Sequence, residues 1–482
     1  MFKESKDLEL DGPEDNLAPS EETPSEDKSL DEISDEEIMD EPSEDLPDDE
    51  KVPDELSEDE EIEESEDVED EDSDEQEEEA EEEEEEEEPG VFSELYSKVF
   101  SSSWEMWLGS ILLAVLSIFL FLLASPWGSS GGLLNIGQNL LDELGVSLSE
   151  SAPNGVTDIV DYRYAMLSIV MLLGAMGSAM MAKEFAIRIS PGGELVKGLF
   201  GGVLMGFGCI IGFGCTIGNF FSGWPALSAG ALIFVGGLVI GVFLAVKYLV
   251  WEMEKHPKMS SGKSWTFLQA KTKGRSLQPI GGIIVLIIGV IIAFGYNTNT
   301  EQTLFGFVLI GLLIGFILQR SRWCVVRALR EPFLTGDSEP ALAIMAGLLV
   351  GVLGFVIIKL LGLGPEISMV ATNFFVPAII GGIIFGFGMT IAGGCTVGST
   401  WRAGEGHVKL WLALLGIVIM APLTAEFIRP ALLDALPEIA KQQVFMPDNY
   451  GYIGSVVILI LIIILWYWFV KWNERSGKLS AF

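Results

Sequence analysis

Ten stretches of this 482-residue sequence are each apolar over close to the length of a bilayer-spanning helix, and nothing else in it constrains the fold so far. They run near Trp104–Ser125, Tyr164–Ala182, Val196–Phe221, Ala226–Val250, Ile280–Phe294, Thr303–Leu318, Ala341–Leu361, Phe375–Val397, Leu410–Phe427 and Ile453–Val470. A hydrocarbon core of roughly 30 Å takes about 20 helical residues to cross. Inside it no water pairs with backbone N–H and C=O groups, so a crossing segment satisfies them internally, as a helix. A soluble helical protein does not carry so many long runs with almost no charge inside them. The sequence therefore predicts an all-α polytopic membrane protein of about ten segments.

Charge divides the chain into two unlike parts. There are 71 Asp and Glu against 28 Lys and Arg, yet the mean hydropathy is positive. About fifty of the acids fall within residues 1–90, which end in an unbroken run from Glu81 to Glu88. Such a tail cannot bury enough apolar surface to offset chain entropy and is predicted to be disordered. After it come a first membrane helix with an external loop (91–163) and a first repeat half (164–251). A basic cytoplasmic loop (252–278) leads to a second repeat half (279–430), then an external loop, last membrane helix and C-terminal tail (431–482). The first apolar run follows the acidic tail, so no cleavable signal peptide is expected.

Lys and Arg in short loops set the expected orientation. The 252–278 loop carries Lys255, Lys258, Lys263, Lys271, Lys273 and Arg275. Arg320, Arg322, Arg327 and Arg330 follow the sixth segment, and Lys471, Arg475 and Lys478 follow the last. Loops 126–161 and 296–302 contain neither residue type. Ten crossings of the inner (cytoplasmic) membrane with both termini cytoplasmic satisfy all of these observations.

Two glycine-rich segments are copies of each other. GGVLMGFGCIIGFGCTIG, from Gly201, aligns without gaps on GGIIFGFGMTIAGGCTVG, from Gly381. Gly214-Cys215-Thr216 thereby matches Gly394-Cys395-Thr396. Small residues are common in membrane helices, but chance seldom repeats one Gly-Cys-Thr step in register. A fainter match sets residues 312–322, before Trp323-Cys324, on 172–184, before Phe185-Ala186. Under ten crossings the two copies run in opposite directions. Duplicated, inverted halves with glycine-interrupted segments are a recurring transporter architecture, with the substrate site where the repeats meet.

A thiol is small, polarisable and a weak donor, so a row of thiols passes a soft, sulfur-bearing ligand without holding it tightly, as conduction requires. Cys215 and Cys395 form the inner pair of such a row. Cys324 serves one mouth, and Cys209, opposite Met389 in the repeat, is the fourth candidate. The competing reading of each is a small buried hydrophobe. Gly208, Gly214, Gly388 and Gly394 let the backbone approach closely or break the helix; tight helix packing is the alternative. Arg322, Arg327 and Arg402 lie at segment ends, where guanidinium groups attract an oxyanion; ordinary loop charges explain them as well. Two histidines in the whole chain give no support to a metal site, and no phosphate loop of the form Gly-x-x-x-x-Gly-Lys-Ser/Thr is present.

In LLIGFILQRSRWCVVRALREPFLTGD and GGIIFGFGMTIAGGCTVGSTWRAGEGH the second half resembles the YeeE/YedE family of sulfur-compound membrane transporters. The resemblance covers most of 166–427 and implies uptake of a small sulfur-containing anion, thiosulfate first, without a cofactor. It also implies passage along Cys215, Cys395 and Cys324 by S–H···S contacts. The first half, with Ala186 taken as the counterpart of Cys324 and NFFSGWPALS from Asn219, is similar to the branch associated with selenium metabolism. A selenium compound or another sulfur species is therefore the alternative cargo. A membrane-bound sulfurtransferase is the rival of another class; it needs a nucleophilic thiolate, and Cys324 between Arg322 and Arg327 is the candidate. A cytoplasmic sulfur-carrier protein is a candidate partner; neither nucleic acid nor enzymatic activity is expected.

Overall fold

Every one of the ten apolar stretches is helical in the computed structural model, because each must close its own backbone hydrogen bonds within the bilayer. The structure describes residues 94, 96–256, 262–269, 277–297, 302–371, 375–438 and 442–481. The acidic tail (1–90) and Lys258, Lys271, Lys273 and Arg275 of the basic loop lie outside the described residues. Among the described residues ten helices are long and apolar enough to cross a membrane.

In chain order the helices are α1 (Met106–Leu123), α2 (Ser129–Glu143), α3 (Arg163–Met181), α4 (Gly192–Ile211), α5 (Ala229–Lys255), α6 (Gln278–Asn297) and α7 (Gln302–Ser321). They continue as α8 (Val325–Leu334), α9 (Glu339–Leu360), α10 (Val376–Ala392), α11 (Thr396–Gly404), α12 (Val408–Leu423), α13 (Arg429–Ala435) and α14 (Met446–Ser476). Two three-residue strands, β1 (Ile187–Ile189) and β2 (Trp265–Phe267), pair antiparallel. α6 and α14 turn most of their apolar surface outward, with Ile283, Ile287, Ile291, Leu461, Leu465 and Trp468 exposed. Of the other long helices, α5 and α12 flank the α4–α10 pair, while α1, α3, α7 and α9 pack on one another.

The crossing of α4 and α10 defines the symmetry. A Cβ on Gly201 would stand 2.5 Å from the Gly388 carbonyl oxygen, and one on Gly208 2.7 Å from that of Gly381. Gly381 is the repeat counterpart of Gly201, and Gly388 of Gly208, so each contact is the other with the copies exchanged. That reciprocity marks a two-fold, self-complementary interface. The start of one helix meets the end of the other, so the two copies run antiparallel and the repeat is inverted. The flanking helices are exchanged likewise: α4 packs on α12, and α10 on α5.

The fainter upstream match is not a pairing in space. Gly311 abuts Leu167, Gly315 abuts Met171, and the Ser178 hydroxyl donates to Gln319 Oε1 at 2.7 Å. Hence α3 and α7 run parallel, and an axis that reverses α4 onto α10 cannot exchange them. Another parallel pair has the same form: α1 and α9, where Gly347 abuts Ser110 and Gly354 abuts Ile118. The exchange therefore sets α1 on α7 and α3 on α9, and the short helices α2 and α8 follow α1 and α7. In this arrangement Trp127-Gly128 before α2, not Phe185-Ala186, matches Trp323-Cys324 before α8.

Candidate substrate pathway

The glycine-rich segments are interrupted where the alignment places the Gly-Cys step. α4 ends at Ile211, and Gly214 adopts φ +148°, a conformation open to glycine, before Cys215 starts a single π turn over Thr216–Phe221. α10 ends at Ala392, Gly393 turns with φ +84°, and Cys395 caps α11, its Sγ accepting from the Gly398 N–H at 3.4 Å. Cys324 likewise precedes α8, after Arg322 at φ +52°. Three of the expected cysteines thus stand just before short helical segments, where unpaired N–H groups and the helix dipole favour negative charge. Cys209 lies inside α4, and its thiol donates to the Gly206 carbonyl at 3.3 Å. Of the four expected glycines, Gly214 and Gly394 belong to the interruptions, while Gly208 and Gly388 sit at the helix crossing, where they permit close packing.

All four thiols are free, and none is more than 2 % exposed. Cys209 neighbours Cys215, and Cys395 neighbours both Cys215 and Cys324. Cys209 itself lines one cavity, and a second cavity reaches Arg322 and Arg327, which bracket Cys324 in the sequence, without reaching a thiol. The first, of about 290 Å³, is lined by Cys209, Phe213, Gly214, Gly128, Tyr162 and Arg429 among others. The second, of about 380 Å³, is lined by Arg322, Arg327, Trp401, Arg402, Glu405 and Lys409 among others. The first lies at the C-terminal end of α4. The second lies toward its N-terminal end, where Gly198 abuts Lys409, roughly 16 Å away along the helix axis.

The second cavity brings together all three expected arginines, but in different states. Arg322 bonds Glu184 at 2.8 Å and Glu405 at 2.7 Å, so its charge is shared with two acids. Glu184 also pairs with Arg320, and Gln319 donates to both carboxylates, tying the end of α7 to those of α3 and α11. Burial works against ionisation of Glu405, but the His407 hydrogen bond, the Arg322 guanidinium and the Gln319 amide outweigh it and hold the carboxyl below its usual range. Arg402 donates to the Gly393 carbonyl at 2.9 Å and lies over the Trp401 ring. Among the described residues Arg327 makes no ion pair.

The first cavity holds a residue that the sequence reading missed. Arg429 stands over the Phe213 ring at 5.5 Å; among the described residues it has no acid partner, and its Nε is buried without a hydrogen bond. Its signal was an arginine on the side of the molecule whose loops are otherwise almost free of Lys and Arg.

A family model described as sulphur transport matches residues 74–244 and 320–481, well over half of the chain. The chain belongs to the sulphur-transport family. Among its curated relatives in the family is "Probable transporter YedE" of Escherichia coli (strain K12), 27% identical over 385 residues, which are 77% of this chain and 93% of the relative. Two thiosulfate transporters named TsuA match over shorter spans. That of Escherichia coli (strain K12) is 28% identical over 32% of this chain and 44% of its own length. That of Spirochaeta thermophila is 38% identical over 22% of this chain and 32% of its own length. This member of the sulphur-transport family is a multi-pass membrane protein.

Proposed function

We propose that the protein takes up a small sulfur-containing anion, thiosulfate first, along Cys209, Cys215, Cys395 and Cys324. The observation that carries this is a set of four buried, free thiols, with Cys209 lining one cavity and, among the described residues, an arginine without an acid partner in each of two cavities, Arg429 in the first and Arg327 in the second. Arg429 captures the anion at the first mouth. The terminal sulfur then accepts weak S–H hydrogen bonds from one thiol after the next, while the short helices before which the cysteines stand offset the negative charge. Arg327 and Arg402 receive it at the second mouth. The basic residues of that face support a reading in which it faces the cytoplasm, with both termini, in an inner membrane. A cytoplasmic sulfur-carrier protein is then a natural recipient, and a selenium analogue of the anion is the alternative cargo.

Relay fits Cys324 better than sulfur transfer does, because an acceptor must reach a persulfide and this thiol is 1 % exposed. The test is growth on thiosulfate as sole sulfur source in a host without its own uptake systems, comparing the intact protein with Cys215→Ala and Cys395→Ala at equal membrane levels. Rescue by the intact protein, lost in either variant, is the expected result. Rescue by all three removes the cysteine pathway and keeps the transporter. No rescue by any of them excludes thiosulfate, and the same strains are then tested on selenium compounds.

A further inference from the structure

Two three-residue strands are not stable in water by themselves, and the pairing of β1 with β2 shows what supports them. Ile187 stands opposite Phe267, Arg188 opposite Thr266, and Ile189 opposite Trp265. Directly opposed residues share a face of a sheet, and neighbours along a strand alternate between faces. One face is therefore Ile187, Ile189, Trp265 and Phe267, and the other is Arg188 and Thr266. The Trp265 and Phe267 rings stack, with centroids 6.3 Å apart and planes 11° from parallel. Even so, Trp265 is 55 % exposed, Phe267 47 % and Leu268 beyond them 66 %. A contiguous apolar patch of this kind marks a surface that something else covers.

The polar face is held by the chain itself. Arg188 donates to the Glu184 carbonyl at 2.8 Å, and its Nη1 lies 3.3 Å from His407 Nε2. Its backbone N–H donates to the Gly406 carbonyl at 2.8 Å, so β1 lies between β2 and the rim of the second cavity, which Ser190 and His407 line. Gln278, the first residue of α6, fixes the level of the sheet. Its amide donates to the Phe185 carbonyl at 3.0 Å, just before β1, and to the Leu268 carbonyl at 2.7 Å, just after β2. α6 has 20 residues, about 30 Å of helix, which matches the hydrocarbon thickness. Its first residue therefore stands at the bilayer boundary, and so does the sheet bonded to it. Leu277 and Ile280 carry the exposed apolar surface from Leu268 onto the outward side of α6, where Ile283, Ile287 and Ile291 follow.

We infer that Ile187, Ile189, Trp265 and Phe267, with Leu268, form an interfacial anchor seated among phospholipid headgroups. Continuity with the outward side of α6 names lipid as the occupant. Trp, Phe and Leu are also the side chains with which interfacial elements enter the headgroup boundary. Lys263, exposed just before β2, supplies a cation for the lipid phosphates. Through β1 the anchor holds Ser190 and residues 405–407, and with them the rim of the second cavity, at the bilayer surface.

The test takes Trp265→Cys, Thr266→Cys, Phe267→Cys and Leu268→Cys singly, in the full chain reconstituted into phosphatidylcholine–phosphatidylglycerol vesicles. Each is labelled with an environment-sensitive fluorescent maleimide. The four native thiols are buried, so the parent measures background labelling. Probes at 265, 267 and 268 should emit to the blue and be quenched by nitroxide-bearing lipids, whereas the probe at 266 should be quenched by aqueous iodide. Leu268→Cys leaves both rings in place, so it reads the anchor even where a variant lacking one ring detaches. Adding Trp265→Ser and Phe267→Ser to it should shift its emission to the red and pass its quenching from lipid to iodide. Equal iodide quenching at all four positions overturns the inference, as does a 268 probe unmoved by loss of both rings. A probe shielded from both quenchers, with energy transfer between chains that grows with protein density, also overturns it and puts a second copy of the chain on this face.

Discussion

Gly208→Ala is expected to force α4 and α10 apart. The new Cβ would stand 2.7 Å from both the Gly381 carbonyl oxygen and the Phe385 nitrogen, where ordinary contact begins near 3.4 Å. Both neighbours are backbone atoms and cannot rotate away, so the helices must separate by roughly 0.7 Å or bend. Overpacking of this kind costs about 1–3 kcal/mol, against which Ala returns about 1 kcal/mol of helix propensity over Gly. Gly236→Ala on α5 is the reference, because a Cβ there meets no atom within 4 Å and only the propensity gain remains. The difference between the two variants cancels propensity and reads the clash alone, about 1–3 kcal/mol. Reversible unfolding of both in mixed micelles measures it. The double variant Gly208→Ala/Gly381→Ala should be less than additive, since one separation admits both methyl groups. Uptake should fall with stability, because Cys209 is the next residue on the displaced helix. Equal stability of Gly208→Ala and Gly236→Ala would refute the crossing as the place where the copies meet.

Arg322→Gln strips a partner from the buried Glu405 and should destabilise by about 1–3 kcal/mol, discounted for the partial exposure of the guanidinium. Arg327→Gln, which breaks no ion pair among the described residues, should leave stability within about 0.5 kcal/mol while raising the half-saturating concentration for uptake; equal effects on stability would contradict the division of roles. Glu405→Gln tests the lowered carboxyl by linkage. A group held below its unfolded value of about 4.3 contributes fully above that pH and loses its contribution as pH falls through the lower folded value. The stability difference between parent and variant should thus shrink as pH falls below about 5; a difference that stays constant from pH 5 to 3 would contradict it.

The ten spans were legible because the bilayer demands long, uniform apolar runs, and each stretch read from the sequence contains a long helix, although Val196–Phe221 runs well past the end of α4 at Ile211 and α14 (Met446–Ser476) extends beyond Ile453–Val470 at both ends. The Gly-Cys interruptions were legible for a similar reason: an eighteen-residue ungapped match leaves its register in no doubt. What escaped were elements with short or mixed signals. α2 and α8 are amphipathic rather than uniformly apolar, and α2 reads as part of a polar, glycine-rich loop. The match of Trp127-Gly128 to Trp323-Cys324 is a single shared tryptophan, too little to align without the packing of α1 on α9 and α3 on α7. Arg429 follows a helix end in the sequence, as many loop arginines do; only the fold carries it to the cavity that contains Cys209.

An axis that exchanges α4 with α10 also exchanges inside with outside. A passage that obeyed it fully would offer an ion the same succession of barriers from either side and would have no preferred direction of its own. Departures from the symmetry are therefore the places where the two entrances differ. Cys209 faces Met389 across the repeat, Cys324 faces Gly128, and the π turn after Cys215 faces the regular helix after Cys395. On the uptake reading proposed above, these differences would make the two entrances unequal in how they first grip an anion and leave net flow to whatever consumes it on the far side.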